Sequence, residues 1–163
     1  MDSIIKDYFY PKSICVVGAS SKPKSLGYEL TKSIKQYGYT GKLILINPKA
    51  DEVLGYKCYT TIESVKEKID LAIIMVPKQF VADSIKQITE KGTRALILIT
   101  AGFKEVGEDG RELEHQIIQV ARQAGIRIIG PNCLGLIAPG NKVNASFGGT
   151  MPKPGAIGYL SQS

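Results

Sequence analysis

The chain has 163 residues, 44% hydrophobic and 22% charged, which excludes a disordered or fibrous protein and fits one domain with its own core. Lysine and arginine number 21 against 15 aspartate and glutamate, a net +6, and the basic residues are scattered, so a solvated surface and an anionic partner explain them equally well. No run approaches the ~18 apolar residues of a membrane span, which excludes a transmembrane protein.

The N-terminus, MDSIIKDYFYPKS, has acidic residues and no long apolar stretch, so it does not read as a secretory signal. From residue 13 one grammar repeats: a short β-rich run, a turn, an amphipathic helix, a glycine, then the next run. Ser13–Gly18, Lys42–Asn47, Leu71–Val76, Ala95–Thr100 and Arg127–Gly130 are nearly continuous apolar runs. Continuous hydrophobicity implies burial on both faces, as in a parallel sheet covered by helices. Leu26, Leu30 and Ile34 make one helical stripe, Val81, Ile85 and Ile88 a second, and Leu113, Ile117, Val120 and Ala124 a third. Gly38, Gly92 and Gly125 each follow a helix, at the position that must adopt positive φ.

A small strand at Lys57–Tyr59, at one edge of the sheet, and a short helix over Ile62–Lys68 are expected, the helix capped by Thr60 or Thr61 with Glu63 in its first turn. A last strand, Ala156–Ser161, follows the Pro/Gly-rich loop Thr150–Gly155. The pattern predicts a Rossmann-type, doubly wound α/β domain with a mainly parallel sheet and helices on both faces. Residues 1–163 read as one such domain. The last strand lacks the helix that the grammar demands next, so the chain reads as a piece of something longer. Cys15, Cys58 and Cys133 form no CxxC and cannot all pair, which predicts a reduced, cytoplasmic setting.

In open α/β sheets ligands lie outside the carboxyl ends of the strands, so those ends carry the functional signal. The first end, Gly18-Ala-Ser-Ser-Lys-Pro-Lys-Ser-Leu-Gly27, offers backbone N–H groups, hydroxyls and lysines before a helix, which suits phosphate. It is not GxGxxG, because Ser20 stands where the second glycine should be. At the second end, Asn47-Pro48-Lys49, a lysine replaces the acidic residue that binds unmodified ribose in NAD sites. A phosphorylated ribose, as in NADP or coenzyme A, fits that cation; an ordinary turn with a surface lysine is the alternative. The third end is Val76-Pro77-Lys78-Gln79-Phe80, where proline stops a strand and opens a helix. At the fourth, Thr100-Ala101-Gly102-Phe103, Gly102 permits close backbone approach. The fifth, Gly130-Pro131-Asn132-Cys133-Leu134-Gly135, presents an amide and a thiol.

Together GASSKPKSLG, INPK, VPKQF, ITAGF and IGPNCLG, followed by NASF and PKPGAIGYLSQS, resemble the coenzyme A-binding domain of the NDP-forming acyl-CoA synthetases. That superfamily includes the succinyl-CoA synthetase α subunit and the ADP-forming acetyl-CoA synthetases, and the resemblance is nearer to the latter. It implies that Gly18, Ser20, Ser21 and Lys22 line the adenosine diphosphate path, with Pro48 and Lys49 near the ribose phosphate of CoA. Val76, Pro77 and Phe80 would flank the adenine or pantetheine, Ile99, Thr100 and Ala101 the pantetheine arm, and Asn132 and Cys133 the thiol end.

The resemblance further implies an acid–thiol ligase in which an acyl phosphate is attacked by the CoA thiol and the released phosphate is carried on a histidine. The one histidine, His115, falls on a predicted helix among Arg111, Glu114 and Gln119, and reads as a surface residue. The chain is therefore expected to bind CoA as a half-site, with no catalytic residue and no metal site of its own. The remaining ligase domains or an ATP-grasp subunit are its expected partners, nucleic acid and membrane are not, and assembly as a homo-oligomer stays open. Two other readings compete. One is a non-catalytic CoA-binding module, regulatory or fused to a protein acyltransferase; the other is an NADP-dependent oxidoreductase domain, disfavoured by the missing second glycine.

Overall fold

A run that is apolar at every position is satisfied only when both faces of its strand are covered. The computed structural model, which describes residues 3–161, arranges the apolar runs in that way. The strands β1 (Ser13–Val17), β2 (Lys42–Ile46), β3 (Glu52–Val53), β4 (Tyr56–Tyr59), β5 (Leu71–Ile74), β6 (Ala95–Leu98) and β7 (Arg127–Ile129) form one sheet. Their order is β3-β4-β2-β1-β5-β6-β7. Every pair is parallel except the β3–β4 hairpin. Val17 at the end of β1 stands opposite Ile46 on one side and Ile74 on the other, so the strand order reverses its direction of travel beside β1.

Successive residues of each central strand serve opposite faces. Ile14 and Val16 of β1, with Leu71 and Ile73 of β5, join one buried cluster; Cys15 and Val17, with Ala72 and Ile74, join the other. The first face is covered by α1 (Ser3–Phe9) and α2 (Leu26–Gln36), which contribute Ile4, Tyr8, Leu30 and Ile34. The second is covered by α3 (Val81–Glu90) and α4 (Glu108–Gln123), through Val81, Ile85, Ile88, Ile117 and Ala121. Removing one such fully buried isoleucine side chain to alanine costs about 2–5 kcal/mol. Gly38, Gly92 and Gly125 do take positive φ just past their helices. Among the described residues no helix is long and apolar enough to cross a membrane.

Four local expectations are corrected. On α4 the buried stripe runs through Ala121, while Val120 is exposed, because the helix face follows i+4 from Ile117. Lys57–Tyr59 is not at the sheet edge, since β3 folds back on β4 outside it. The Ile62–Lys68 helix does not form. Thr61 Oγ1 accepts the Ser64 N–H at 3.3 Å and Val65 N–H reaches the Ile62 carbonyl at 3.2 Å, which makes one turn only. A segment this short cannot offset helix nucleation alone. It is drawn along the sheet instead: Ile62, Val65 and Ile69 are buried, and Ser13 Oγ donates to the Lys68 carbonyl at 2.7 Å.

The Ala156–Ser161 strand is also absent. Ile157, Tyr159 and Leu160 are at least 90% exposed, and the segment pairs with none of the described strands. An apolar pattern states what a segment can bury, not which strand it bonds: the outer side of β7 pairs with none of the described strands. Gln162 and Ser163 of the terminal SQS motif lie outside the described residues. The motif NASF instead belongs to an unforeseen antiparallel hairpin, β8 (Gly135–Ala138) and β9 (Val143–Ser146), which packs on α2.

Candidate functional site

The carboxyl ends of β1, β2, β5, β6 and β7 lie along one edge of the sheet, and a belt of hydrogen bonds ties the loops that follow them. Asn47, just past β2, donates from both backbone and side chain: its N–H goes to the Tyr59 carbonyl at 2.9 Å, and Nδ2 to the Ala19 carbonyl at 2.8 Å. Its Oδ1 accepts the Lys49 N–H at 2.7 Å, which closes the Asn47–Lys49 turn. Beyond β1, Thr100 Oγ1 donates to the Val76 carbonyl at 2.7 Å and the Asn132 N–H to the Thr100 carbonyl at 3.1 Å.

Gly18 has φ of +101°, and a Cβ there would meet the Met75 carbonyl, so only glycine lets the β1 and β5 ends approach this closely. The loop then turns at Ser20, whose Oγ accepts the Lys22 N–H at 3.1 Å, and reaches Ser25, the N-cap of α2. Ser25 Oγ accepts the Tyr28 N–H at 3.4 Å. A Cβ on Gly27 would fall on the Gly18 carbonyl oxygen, so the start of α2 is seated directly against the loop.

A crevice of about 420 Å³ opens at the β1–β2 end of this edge. Gly18, Pro48, Lys49 and Val76 line it together. Ser20, Ser21 and Lys22 lie on the loop beside it, and Pro77 and the exposed Phe80 on the turn after β5. Ile99 is buried, so its side chain belongs to the core; Ala101 and Asn132 are exposed, and Thr100 is half-buried. Cys133 turns its thiol inward, donating to the Leu98 carbonyl at 3.4 Å, and burial pushes its pKa up. It is a packed thiol, which excludes it as a ready nucleophile.

Two features escaped the sequence reading. The opposite wall of the crevice is made by Thr60, Thr61 and Glu63 with Ser84 and Gln87 of α3, residues concealed by the expectation of a helix over 62–68. The turn after β6 is held by Glu105, whose carboxylate accepts the Gly102 N–H at 2.5 Å and the Phe103 N–H at 3.2 Å. The Gly102 N–H above all holds this carboxyl below its usual pKa. Lys78 crosses the same turn, its stem lying nearest the space beside Gly102. Among the described residues Lys22, Lys24, Lys49 and Lys78 form no ion pair, leaving their charges available to an anion. His115 is exposed on α4 and does not line the crevice. No cluster among the described residues could hold a metal ion.

This edge therefore gathers unpaired lysines, hydroxyls and backbone N–H groups around one crevice. The CoA binding domain family matches residues 12–139, and the chain belongs to that family. Over 158 residues it is 43% identical to the acetate–CoA ligase (ADP-forming) II α subunit of Pyrococcus furiosus, covering 96% of this chain and 34% of that one. The solved acetyl-coenzyme A synthetase 1 of Candidatus Korarchaeum cryptofilum, in complex with phosphate and ADP, matches with TM-score 0.83 and 41% identity over 88% of this chain and 31% of that one. The succinate–CoA ligase (ADP-forming) α subunit 2 of Archaeoglobus fulgidus is more distant, 31% identical over 118 residues, which are 69% of this chain and 38% of that one. The chain spans about a third of the length of these relatives.

Proposed function

We propose that this chain binds coenzyme A along the carboxyl edge of its sheet, as the N-terminal CoA-binding domain of an ADP-forming acyl-CoA synthetase, an acid–thiol ligase. The observation that carries the reading is the crevice in which Gly18 brings two strand ends together and Asn47 sets Lys49 at its mouth. Lys49 pairs with the ribose phosphate, and the loop Gly18–Lys22 follows the diphosphate with backbone N–H groups and hydroxyls. The turns after β5, β6 and β7, through Val76, Pro77, Phe80, Ile99, Thr100, Ala101, Asn132 and Cys133, accompany the pantetheine toward its thiol end.

In that role the chain positions the CoA thiol for attack on an acyl phosphate and supplies no acid, base or phosphate carrier. A phosphohistidine domain and an ATP-grasp domain or subunit provide those, in a cytoplasmic enzyme. Calorimetry with CoA, dephospho-CoA and NADP tests the reading: CoA binds tightest, and tighter binding of NADP overturns it. An assay of the chain alone with CoA, an acid, ATP and Mg²⁺ yields no acyl-CoA; turnover above background would refute the half-site.

A further inference from the structure

The crevice is electrically lopsided. On the β1–β2 side stand Lys49 and the backbone of the Gly18 loop; on the other side the lining, among the described residues, holds no cation, Glu63 brings a carboxylate, and the Lys91 ammonium behind it is bonded to backbone carbonyls. Two of the polar groups there are already committed. Ser84 Oγ donates to the Phe80 carbonyl at 2.8 Å, and Thr61 Oγ1 accepts the Ser64 N–H. Among the described residues the Glu63 carboxylate and the Gln87 carboxamide form no side-chain hydrogen bond or ion pair. The backbone under Glu63 is held in place, because Lys91 Nζ donates to its carbonyl at 2.9 Å and to that of Val65 at 2.7 Å. Gln87 is one turn along α3 from Ser84, and the buried Val81, Ile85 and Ile88 fix that helix against the sheet.

A phosphate placed against Glu63 is repelled, so an anionic nucleotide enters with its phosphates toward Lys49 and its base toward Glu63 and Gln87. A carboxylate only accepts hydrogen bonds, and a carboxamide both donates and accepts. Adenine offers the complement, an exocyclic amino donor beside ring-nitrogen acceptors, and glutamine matches that edge in two bonds. Hypoxanthine carries a carbonyl oxygen at the same position, which a carboxylate rejects.

We infer that Glu63 and Gln87 are specificity-determining residues that read the amino group of the ligand's adenine and fix the direction in which the nucleotide lies. The inference rests on CoA being the ligand.

The test is calorimetry with CoA and with its deaminated, hypoxanthine-containing analogue. The wild-type chain should prefer CoA by roughly tenfold, and Glu63→Gln should bring the two ligands within about threefold, since a carboxamide accommodates either base. Gln87→Ala should weaken CoA by about three- to tenfold, whereas Lys49→Ala should weaken both ligands alike and leave the preference intact. Equal affinities in the wild type, or an unaltered preference in Glu63→Gln, overturn the inference while the CoA reading stands. A folded wild-type chain that binds neither ligand overturns both.

Discussion

The side-chain amide of Asn47 donates to the carbonyl oxygen of Ala19, 2.8 Å away, and so fastens the loop after β2 to the loop after β1. The same amide's oxygen accepts the Lys49 N–H at 2.7 Å. One residue thereby sets both the phosphate loop and the turn that presents the cation. Asn47→Ala should cost about 1–2 kcal/mol of stability, for two hydrogen bonds, and weaken CoA as well. Asn47→Asp keeps the acceptor for Lys49 but deprives Ala19 of its donor and puts a negative charge in the crevice. Calorimetry should rank CoA affinity as wild type, then alanine, then aspartate; aspartate equal to wild type would show that the loops are held otherwise.

For Lys49 the expected loss on substitution by alanine is about 1.5–3 kcal/mol of CoA affinity, the range of a charge-assisted hydrogen bond. Dephospho-CoA, which lacks the ribose phosphate, should lose far less. Equal losses for the two ligands would put Lys49 elsewhere on the bound molecule.

Two glycine substitutions separate crowding from backbone strain. At Gly27 a Cβ would collide with the Gly18 carbonyl, a backbone atom that cannot move aside, so Gly27→Ala should push α2 off the phosphate loop and depress both stability and CoA binding. At Gly92 nothing lies within 4 Å, yet φ is +74°. Gly92→Ala should therefore cost only about 1–2 kcal/mol of stability, the left-handed penalty, with CoA affinity unchanged. Thermal unfolding and calorimetry on both variants distinguish the two.

Acid sensitivity should centre on Asp70. Burial pushes its carboxyl up, but the Lys68 ammonium at 2.8 Å and the Lys12 N–H at 2.9 Å outweigh burial and hold the pKa below its ordinary value. A depressed carboxyl stabilises the fold above its unfolded pKa, near ~3.9, and that contribution disappears as pH falls through the folded value. Asp70→Asn should be less stable than wild type at pH 7, with the gap closing as pH falls below the ordinary carboxylate range. Asp7 behaves oppositely, raised by burial and by Asp70. Asp7→Asn should gain on wild type as pH rises above ~4. Urea unfolding across pH measures both slopes.

Alkylation should find Cys133 slow. Its thiol is bonded to the Leu98 carbonyl and its pKa is raised by burial, so iodoacetamide labelling at pH 7 should lag a free cysteine and quicken as pH rises. Cys133→Ser should bind CoA within about threefold of wild type, because a hydroxyl can keep the bond. Rapid labelling of Cys133 in the folded chain would mean that the thiol is not held inward by the Leu98 carbonyl.

The sheet was legible in the sequence because its strands are short runs, apolar at consecutive positions and bounded by turn residues, too short for buried helices. Ser13–Val17, Leu71–Ile74 and Ala95–Leu98 needed nothing further, and their carboxyl ends marked the edge where Gly18, Pro48, Lys49 and Val76 meet. Burial periodicity could not separate a short helix from an irregular segment over 62–68, where Ile62, Val65 and Ile69 are buried either way. Nor could it tell that Ile157 and Leu160 pair with none of the described strands, or that Val143–Ser146 turns back on Gly135–Ala138. Those outcomes depend on bonds between residues far apart in the chain. The second wall of the crevice is of the same kind: Glu63 and Gln87 come together only because α3 packs over the irregular segment, and Lys91 bonds the Glu63 backbone from α3's end. Local composition determined the elements and the edge; long-range hydrogen bonding decided which side chains face each other across it.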